Sequence, residues 1–240
     1  MILTFPLFSY ELAIAAVFRN EGPYLKEWIE YHRMMGVEHF WLYNDLSADN
    51  YEEVLAPYVE QGIIELIQGF SSHMPNFFIT NQIIAYLDAV NRAKGNTKWL
   101  ALIDVDEFIF PRRESSIIEC LREHYEKFGG VYVNWRHFGT GGVRLERGDP
   151  ILSRLFCCSL DTHSRNSAGK SIVRPEQVTQ IWNPHHMVLE PDQYYGYGDG
   201  YSIGRTELDL KLDGLQHFDL LMLNHYTMRD ESFYRNVRDC

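Results

Sequence analysis

The stretch "WLALIDVDEF", residues 99–108, decides the fold and points to the site. Five apolar residues stand in a row, and three carboxylates, Asp104, Asp106 and Glu107, follow almost at once. A short unbroken apolar run is typical of a strand that is buried on both faces. In open α/β sheets, ligands bind just beyond the carboxyl ends of the strands. The three acids therefore stand where a functional site is expected.

Strands and helices alternate before this stretch. The pattern predicts strands at residues 12–18, 38–45, 62–67 and 98–103, and helices over residues 25–35, 51–60 and 77–94. We expect Asn20 to cap the first helix, Pro23 to lie in its first turn and Gly36 to end it. This β-α-β-α-β-α-β order predicts an α/β fold with a parallel, doubly wound sheet.

The second half of the chain is less regular, although its 240 residues fit one large domain. The sequence predicts strands at residues 129–138 and 223–228, with a tight loop at residues 138–142. Glycines and tyrosines crowd residues 192–204, which indicates a long loop near a site or a disordered flap.

Composition excludes some functions. The net charge is −11, from 33 acidic and 22 basic residues, and nucleic-acid binding requires a clustered basic surface. The four cysteines lack zinc-ligand spacing, which favours reduced, structural thiols. Because no apolar run reaches the ~18–20 residues of a membrane span and the start lacks a basic region, we expect no transmembrane segment or signal peptide. The predicted location is cytoplasmic, with peripheral association at the inner face of a membrane left open.

The acids after the fourth strand are the first candidates for chemistry. In extended chain, Asp104 and Asp106 face the same side, and Val105 turns into the core. Two carboxylates about 4 Å apart repel by roughly 4 kcal/mol at an effective dielectric near 20. A shared proton or a divalent cation removes that cost, and carboxylate oxygens suit Mg²⁺ or Mn²⁺. A solvated acidic turn is the alternative interpretation.

Four further residues are candidates, each with a plainer alternative. His225 is a third metal ligand or a structural histidine near the core. Asp45 accepts hydrogen bonds from a nucleotide or forms a turn or helix cap. Arg19 meets a phosphate or a base, or forms a surface salt bridge. Lys170 neutralises a diphosphate or is a plain loop lysine. The ends of the first, second and fourth strands should gather Arg19, Asp45 and the acids along one edge of the sheet.

Five segments in order resemble glycosyltransferase family 92 and its bacterial relatives, which are akin to family-2 glycosyltransferases. They are "AAVFRNEGPYLKEWIEYHRMMGVEHFWLYNDLSADN", "WLALIDVDEFIFP", "NWRHFGTGG", "KSIVRP" and "LNHYTMRDESFYRN". The resemblance runs from about Leu12 to the C-terminus.

The resemblance implies a GT-A fold, with a mixed sheet flanked by helices in a single domain. Residues of about 1–110 would form the nucleotide-binding half, and residues of about 111–240 the less regular acceptor-binding half. It implies inverting transfer of a hexose, commonly galactose, from a UDP-sugar to a glycan or other hydroxyl acceptor, assisted by Mn²⁺ or Mg²⁺.

The resemblance also implies roles for individual residues. Arg19 and Asn20 match the nucleotide loop, and Asp45 matches the acid that holds uridine. Asp104 and Asp106 match the D-x-D motif, which binds the metal and, through it, the diphosphate. His225 matches the late histidine that completes the metal coordination, and Lys170 would add positive charge at the diphosphate.

Two features depart from the pattern or leave the function open. No acid matches the family-2 general base, so Asp161 and Asp192 are the candidates for it. Four aromatic residues are candidate platforms for acceptor sugars, with ordinary packing as the alternative. They are Trp135, Tyr194, Tyr195 and Tyr197.

Two other functions compete with sugar transfer. One is a carbohydrate-binding protein with a degenerate transferase fold, whose sugar binding would survive chelation and the loss of Asp106. The other is a haloacid-dehalogenase-like phosphatase, although its motif usually opens the chain and continues with threonine, whereas Glu107 and Phe108 follow here.

Overall fold

The computed structural model describes residues 8–69, 78–200, 202–204 and 216–229. Within these residues the helices are α1 Gly22–Met34, α2 Tyr51–Glu60, α3 Phe78–Ala93 and α4 Ile117–His124. The first six strands are β1 Tyr10–Phe18, β2 His39–Asn44, β3 Ile64–Ile67, β4 Thr97–Leu102, β5 Glu107–Pro111 and β6 Gly130–Gly139. The remaining strands are β7 Cys157–Cys158, β8 Gly169–Val173, β9 Val178–Asn183, β10 His186–Leu189, β11 Tyr195–Tyr197, β12 Ser202–Gly204 and β13 Leu221–His225.

Eleven of the described strands form one sheet, along which the order is β12-β11-β6-β8-β4-β1-β2-β3. Strands β3, β2, β1 and β4 are parallel, as the sequence predicts. Strand β8 runs antiparallel between β4 and β6, so β6 points the same way as β4. The result is a mixed α/β sheet, which confirms the predicted fold class. The carboxyl ends of β1, β2, β4 and β6 lie at one edge.

Helices cover both faces of this sheet. Alternate β1 residues show why: Leu12 and Ile14 pack into the cluster that contains Trp28 of α1, whereas Ala13 and Ala15 pack into the cluster that contains Tyr86 of α3. A strand buried on both faces needs apolar residues at consecutive positions, and Leu12–Phe18 supplies them. The doubly wound arrangement is therefore confirmed.

The predicted elements of the first half are confirmed, with each end within three residues of the prediction. The largest difference is at α1, which begins at Gly22, three residues before predicted helix 25–35, and Phe77 of predicted helix 77–94 lies outside the described residues. Gly36 ends α1 with a φ of 98°, in the left-handed region that glycine tolerates. Asn20 was expected to cap α1, and that prediction is wrong: Glu21 precedes the helix, and Asn20 itself has a φ of 57°.

The second half departs further from the sequence predictions. The predicted loop 192–204 contains β11 and β12, because Tyr195–Tyr197 adds to the free side of β6 as a parallel strand. Strand β5 was not predicted, and it pairs antiparallel with the late strand β13. Among the described helices, none has the length and apolar character to cross a bilayer.

Candidate active site

The acids after β4 lie in a turn rather than in extended chain. Strand β4 ends at Leu102, and the backbone N–H of Glu107 donates to the carbonyl of Asp104 at 3.1 Å. Val105 is buried in the core, as predicted. The expectation that Asp104 and Asp106 point the same way from a strand is wrong, because the turn sends each of them to a different basic partner.

Asp104 is bound by the protein's own cation. Both of its carboxylate oxygens lie 3.1 Å from Nζ of Lys170, and Gln82 of α3 donates to Oδ1 at 2.5 Å. Lys170 is only 1% exposed. Burial alone would lower the pKa of Lys170, but the facing Asp104 raises it above its usual value. Lys170 therefore keeps its charge, and it is not the plain loop lysine of the alternative interpretation.

Asp106 faces His225. Their Oδ2 and Nε2 atoms are 3.5 Å apart, and the backbone of Tyr226 donates to the carbonyl of Asp106 at 2.8 Å. Burial alone would raise the pKa of Asp106, but His225 holds it below its usual value. Burial likewise would lower the pKa of His225, which Asp106 raises instead. The pairing of β13 with β5 brings these two residues together.

Glu107 fixes the turn, a role that the sequence did not reveal. It is fully buried, with Oε1 accepting from Nε1 of Trp135 at 2.7 Å and Oε2 accepting from the backbone of Asp104 at 2.8 Å. Burial, with a further contribution from Asp104, raises the pKa of Glu107 to about 8. The signal was present in the sequence, since Glu107 is the third acid of the opening stretch.

A second buried pair was also missed. Arg229, which follows β13, is 1% exposed, and its Nη2 lies 2.7 Å from Oε1 of Glu21 in the loop after β1. The guanidinium also lies 4.7 Å from the ring centre of Tyr24. Burial raises the pKa of Glu21 to about 7, and the positive charge of Arg229 helps to lower the pKa of Asp106. Arg229 thus adds a third basic group beside the acidic turn.

The loops after β1 and β2 are joined at the same edge. Arg19 donates to the carbonyl of Asp45 at 2.7 Å and to its Oδ2 at 2.6 Å, which is the salt bridge of the alternative interpretation. Asp45 is fully buried, and Asn81 donates to its other oxygen at 3.3 Å. The side chain of Asn20 accepts from the backbone of Ala48 at 2.8 Å. The nucleotide roles of Arg19, Asn20 and Asp45 stay predictions.

The two candidates for the general base lie toward opposite ends of β6, and Asp161 is at the end where β6 pairs with His225. Asp192 is exposed three residues before β11, at the edge where β6 begins, and that edge is opposite the acids. Asp161 is 67% exposed and forms an ion pair with Arg136 of β6. The sequence could not show that Asp192 lies at the other edge, because it does not reveal that Tyr195–Tyr197 pairs with the start of β6. The role of Asp161 as a base stays a prediction.

The four candidate aromatic platforms lie in three different places: the core, the opposite edge of the sheet and the candidate site. Tyr195 and Tyr197 are fully buried in the core, which confirms the packing alternative for both. Tyr194 is 43% exposed but follows Asp192 at the opposite edge. Trp135 is half-buried, and its ring centre lies 4.7 Å from that of His225. Trp135 alone therefore lines the candidate site.

The donor set at the turn suits a hard divalent cation through Asp106 and His225. Their carboxylate and imidazole face each other, and among the described residues the buried Nδ1 of His225 has no hydrogen-bond partner. Oxygen and imidazole ligands together are compatible with Mn²⁺. No three His, Cys, Asp or Glu side chains of the described residues already surround one point, because Lys170 and Gln82 hold Asp104.

The chain is similar to a known protein family, to individual relatives and to solved structures. Residues 12–239 match the family model for glycosyltransferase family 92. A glycosyltransferase family 92 protein of Ricinus communis is 26% identical over 95% of this chain, which spans only 38% of that protein's length. A galactan beta-1,4-galactosyltransferase of Arabidopsis thaliana is 31% identical over 49% of this chain, and the match covers 25% of that protein's length. The solved structure of S. aureus TarS 1-349 in complex with UDP-GlcNAc is 12% identical, with a TM-score of 0.44 over 70% of this chain and 46% of that chain.

Proposed function

Since the chain belongs to glycosyltransferase family 92, we propose that it transfers a hexose from a UDP-sugar to a hydroxyl group of a glycan or another acceptor. The transfer is metal-dependent and inverts the anomeric carbon. Galactose is the favoured sugar, because two relatives that match 49% and 50% of this chain are named as galactan beta-1,4-galactosyltransferases. Family membership also excludes the phosphatase alternative.

The observation that carries this proposal is the gathering of acids and buried bases beyond the carboxyl end of β4. Asp104 and Asp106 come from one stretch of the chain and His225 from another, with Lys170 and Arg229 beside them. A buried charge is costly to maintain, so three buried bases beside two half-buried acids are more typical of a functional site than of the core.

These groups suit the departure of a nucleoside diphosphate. A divalent cation, when bound, supplies Lewis-acid stabilisation of the negative charge that develops on the leaving oxygen. Asp106 and His225 would hold it, and Asp104 would join them. Lys170 is positioned to place its ammonium on the diphosphate oxygens, as an electrostatic group fixed before the reaction.

The nucleoside belongs at the neighbouring strand ends. Asn20 and Asp45 lie there, and Arg19 is 42% exposed, which leaves part of its guanidinium available to a base or a phosphate. Asp45 has no exposed surface while Arg19 and Asn81 contact it, so its direct contact with uridine requires Arg19 to move.

The test is transfer from UDP-galactose in the presence of Mn²⁺, measured against UDP-glucose, UDP-N-acetylhexosamines and GDP-sugars with a panel of glycan acceptors. Asp106→Asn should lower kcat at least 10²-fold with an unchanged melting temperature, because the substitution removes the charge and keeps the shape. Asp192→Asn, at the opposite edge, is the matched control and should retain activity.

Two outcomes would contradict the proposal. Full transfer by Asp106→Asn, or full transfer in excess EDTA, would remove the metal from the mechanism. Sugar binding without turnover that survives both treatments would favour the carbohydrate-binding alternative.

A further inference from the structure

We propose that Lys170 makes cation binding depend on the nucleoside diphosphate, because its ammonium occupies Asp104 until diphosphate oxygens replace Asp104 as its partner. The protein then takes up its divalent cation together with the diphosphate, as a metal–nucleotide complex, and binds the cation alone only weakly. This inference rests on the proposed function. It gives Lys170 a further role, as the residue that decides when Asp104 is available to the cation.

The two carboxylates of the D-x-D motif have different partners. Nζ of Lys170 lies 3.1 Å from both oxygens of Asp104, and Gln82 donates to one of them at 2.5 Å. Asp106 instead faces the imidazole of His225. A carboxylate has about four lone-pair sites, and an ammonium on both oxygens also repels a divalent cation that approaches the same group. Asp104 therefore becomes a metal ligand only when Lys170 leaves it.

The fold holds Lys170 in this position. Lys170 is 1% exposed and belongs to β8, which lies between β4 and β6. Its Nζ lies 5.9 Å from the ring centre of Tyr86 on α3, and the hydroxyl of Tyr86 donates to the carbonyl of Ile103 at 3.3 Å. A buried ammonium without an anionic partner is strongly destabilising. Lys170 therefore releases Asp104 only when another anion takes its place.

A nucleoside diphosphate can supply that anion. The side chain of Asp104 is 29% exposed, so a ligand can reach the ion pair from solvent although Lys170 itself is buried. Lysine carries its ammonium on a flexible four-carbon stem, and phosphate oxygens are among its common partners. A shift of Nζ from Asp104 to a diphosphate oxygen keeps Lys170 paired and frees Asp104 for the cation beside Asp106.

This exchange of partners couples the two ligands. Without the diphosphate, a cation meets Asp106 and His225 but competes with Lys170 for Asp104. With the diphosphate bound, all three ligands are available. Coupling between two ligands is reciprocal, so UDP improves the affinity for the cation by the same factor as the cation improves the affinity for UDP. We expect saturating UDP to lower the Kd for Mn²⁺ at least about tenfold in the wild type.

The test measures Mn²⁺ binding by calorimetric titration, with and without UDP, in Lys170→Met and in the matched control Lys98→Met. Lys98 is another partly buried lysine, paired with Glu11 and Glu126 at the start of β4, the end of that strand away from the acidic turn. Methionine keeps the length and the apolar stem of lysine and removes its charge. We expect Lys170→Met to lower the Kd for Mn²⁺ alone at least about tenfold, and Lys98→Met to leave it unchanged.

A double-mutant cycle with Asp104→Asn shows whether Lys170 acts through this carboxylate. If Lys170 competes for Asp104, then Lys170→Met should no longer tighten Mn²⁺ binding once Asp104 is replaced by asparagine. A gain of the same size in both backgrounds would indicate a general effect of removing a positive charge and would overturn the inference.

Asp104→Asn alone provides a test that keeps Lys170, should Lys170→Met fail to fold. UDP frees no carboxylate in this variant, so most of the gain in Mn²⁺ affinity that UDP gives the wild type should be lost. An undiminished gain in Asp104→Asn would show that release of Asp104 contributes nothing and would overturn the inference.

The outcomes separate this inference from the proposed function. If the wild type transfers sugar and stops in EDTA, but Lys170→Met binds Mn²⁺ alone no more tightly than the wild type, the inference is wrong and the proposed function stands. If the wild type neither transfers sugar from any donor nor binds Mn²⁺ in the presence of UDP, both are contradicted.

Discussion

Neighbouring carboxylates in this molecule have different structural roles because each contacts different groups. Asp104, Asp106 and Glu107 are neighbours in sequence, yet Lys170 neutralises the first, His225 faces the second, and the third accepts two N–H groups inside the core. The sequence showed three acids at the end of a strand. It could not show which of them turns inward, because that depends on the turn that follows Leu102.

His32 is a buried histidine that is held neutral. Its Nδ1–H donates to the carbonyl of Trp28 at 2.9 Å, and its Nε2 accepts from the backbone of Ile109 at 3.3 Å. Burial lowers its pKa to about 3, below the value of about 6.5 for an unfolded histidine. The unfolded chain therefore binds a proton first as the pH falls. The stability that neutral His32 contributes is complete above about pH 6.5 and is lost as the pH falls toward 3.

The lowered pKa of His32 predicts that the unfolding free energies of wild type and His32→Gln depend differently on pH. Between pH 7 and pH 5 the wild type should lose about 2 kcal/mol of unfolding free energy through this one group, and the variant should not. Urea unfolding at both pH values measures the difference. The exposed His163→Gln is the control and should follow the wild type. Equal losses in wild type and His32→Gln would show that the folded protein accepts the proton at His32.

At the scale of elements, the contact between β6 and β8 sets the position of Lys170. Gly169 begins β8, and a Cβ atom there would lie 2.1 Å from the carbonyl of Val133 in β6. This close approach aligns Lys170 opposite Val133 and directs its side chain to Asp104. An antiparallel strand between two parallel ones is thus what supplies the buried cation.

Gly169→Ala should therefore disturb both the strand pairing and the site. We expect a loss of roughly 1–3 kcal/mol in unfolding free energy from overpacking, measured by urea titration. Gly139→Ala, at the other end of β6 where no atom lies within 4 Å of the new Cβ, is the matched control and should stay within about 0.5 kcal/mol of wild type. Wild-type stability in Gly169→Ala would show that the strands separate without cost.

The elements that were predicted correctly are those whose signal is local. Apolar runs identified β1 to β4, and apolar residues at helical spacing identified α1 to α3. In each of these elements the spacing of the apolar residues alone indicates the element type and its buried face. Strands β5 and β11 were missed, since each is short and is defined only by a distant partner, β13 for one and β6 for the other. Asparagine is a common residue at helix caps, but the side chain of Asn20 accepts a hydrogen bond from the loop after β2 instead.

Considered as a whole, the molecule gathers its candidate site from both halves of the chain. The first half supplies Asp45, Asp104 and Asp106, and the second supplies Lys170 and His225. Sequence reasoning placed the first set correctly at one edge, because parallel strands share their direction. The candidate base Asp192 lies at the opposite edge, which the sequence could not show, because the direction in which β11 joins the sheet is a property of the whole fold.

We propose that Asp106 and His225 hold a divalent cation to which a uridine diphosphate binds, and calorimetric titration of UDP with and without Mn²⁺ tests this most directly. We expect Mn²⁺ to lower the Kd for UDP at least tenfold in the wild type, about 1.4 kcal/mol. That gain should disappear in both Asp106→Asn and His225→Gln while Asp192→Asn keeps it. An affinity for UDP that is the same with Mn²⁺, in EDTA and in Asp106→Asn would contradict the claim.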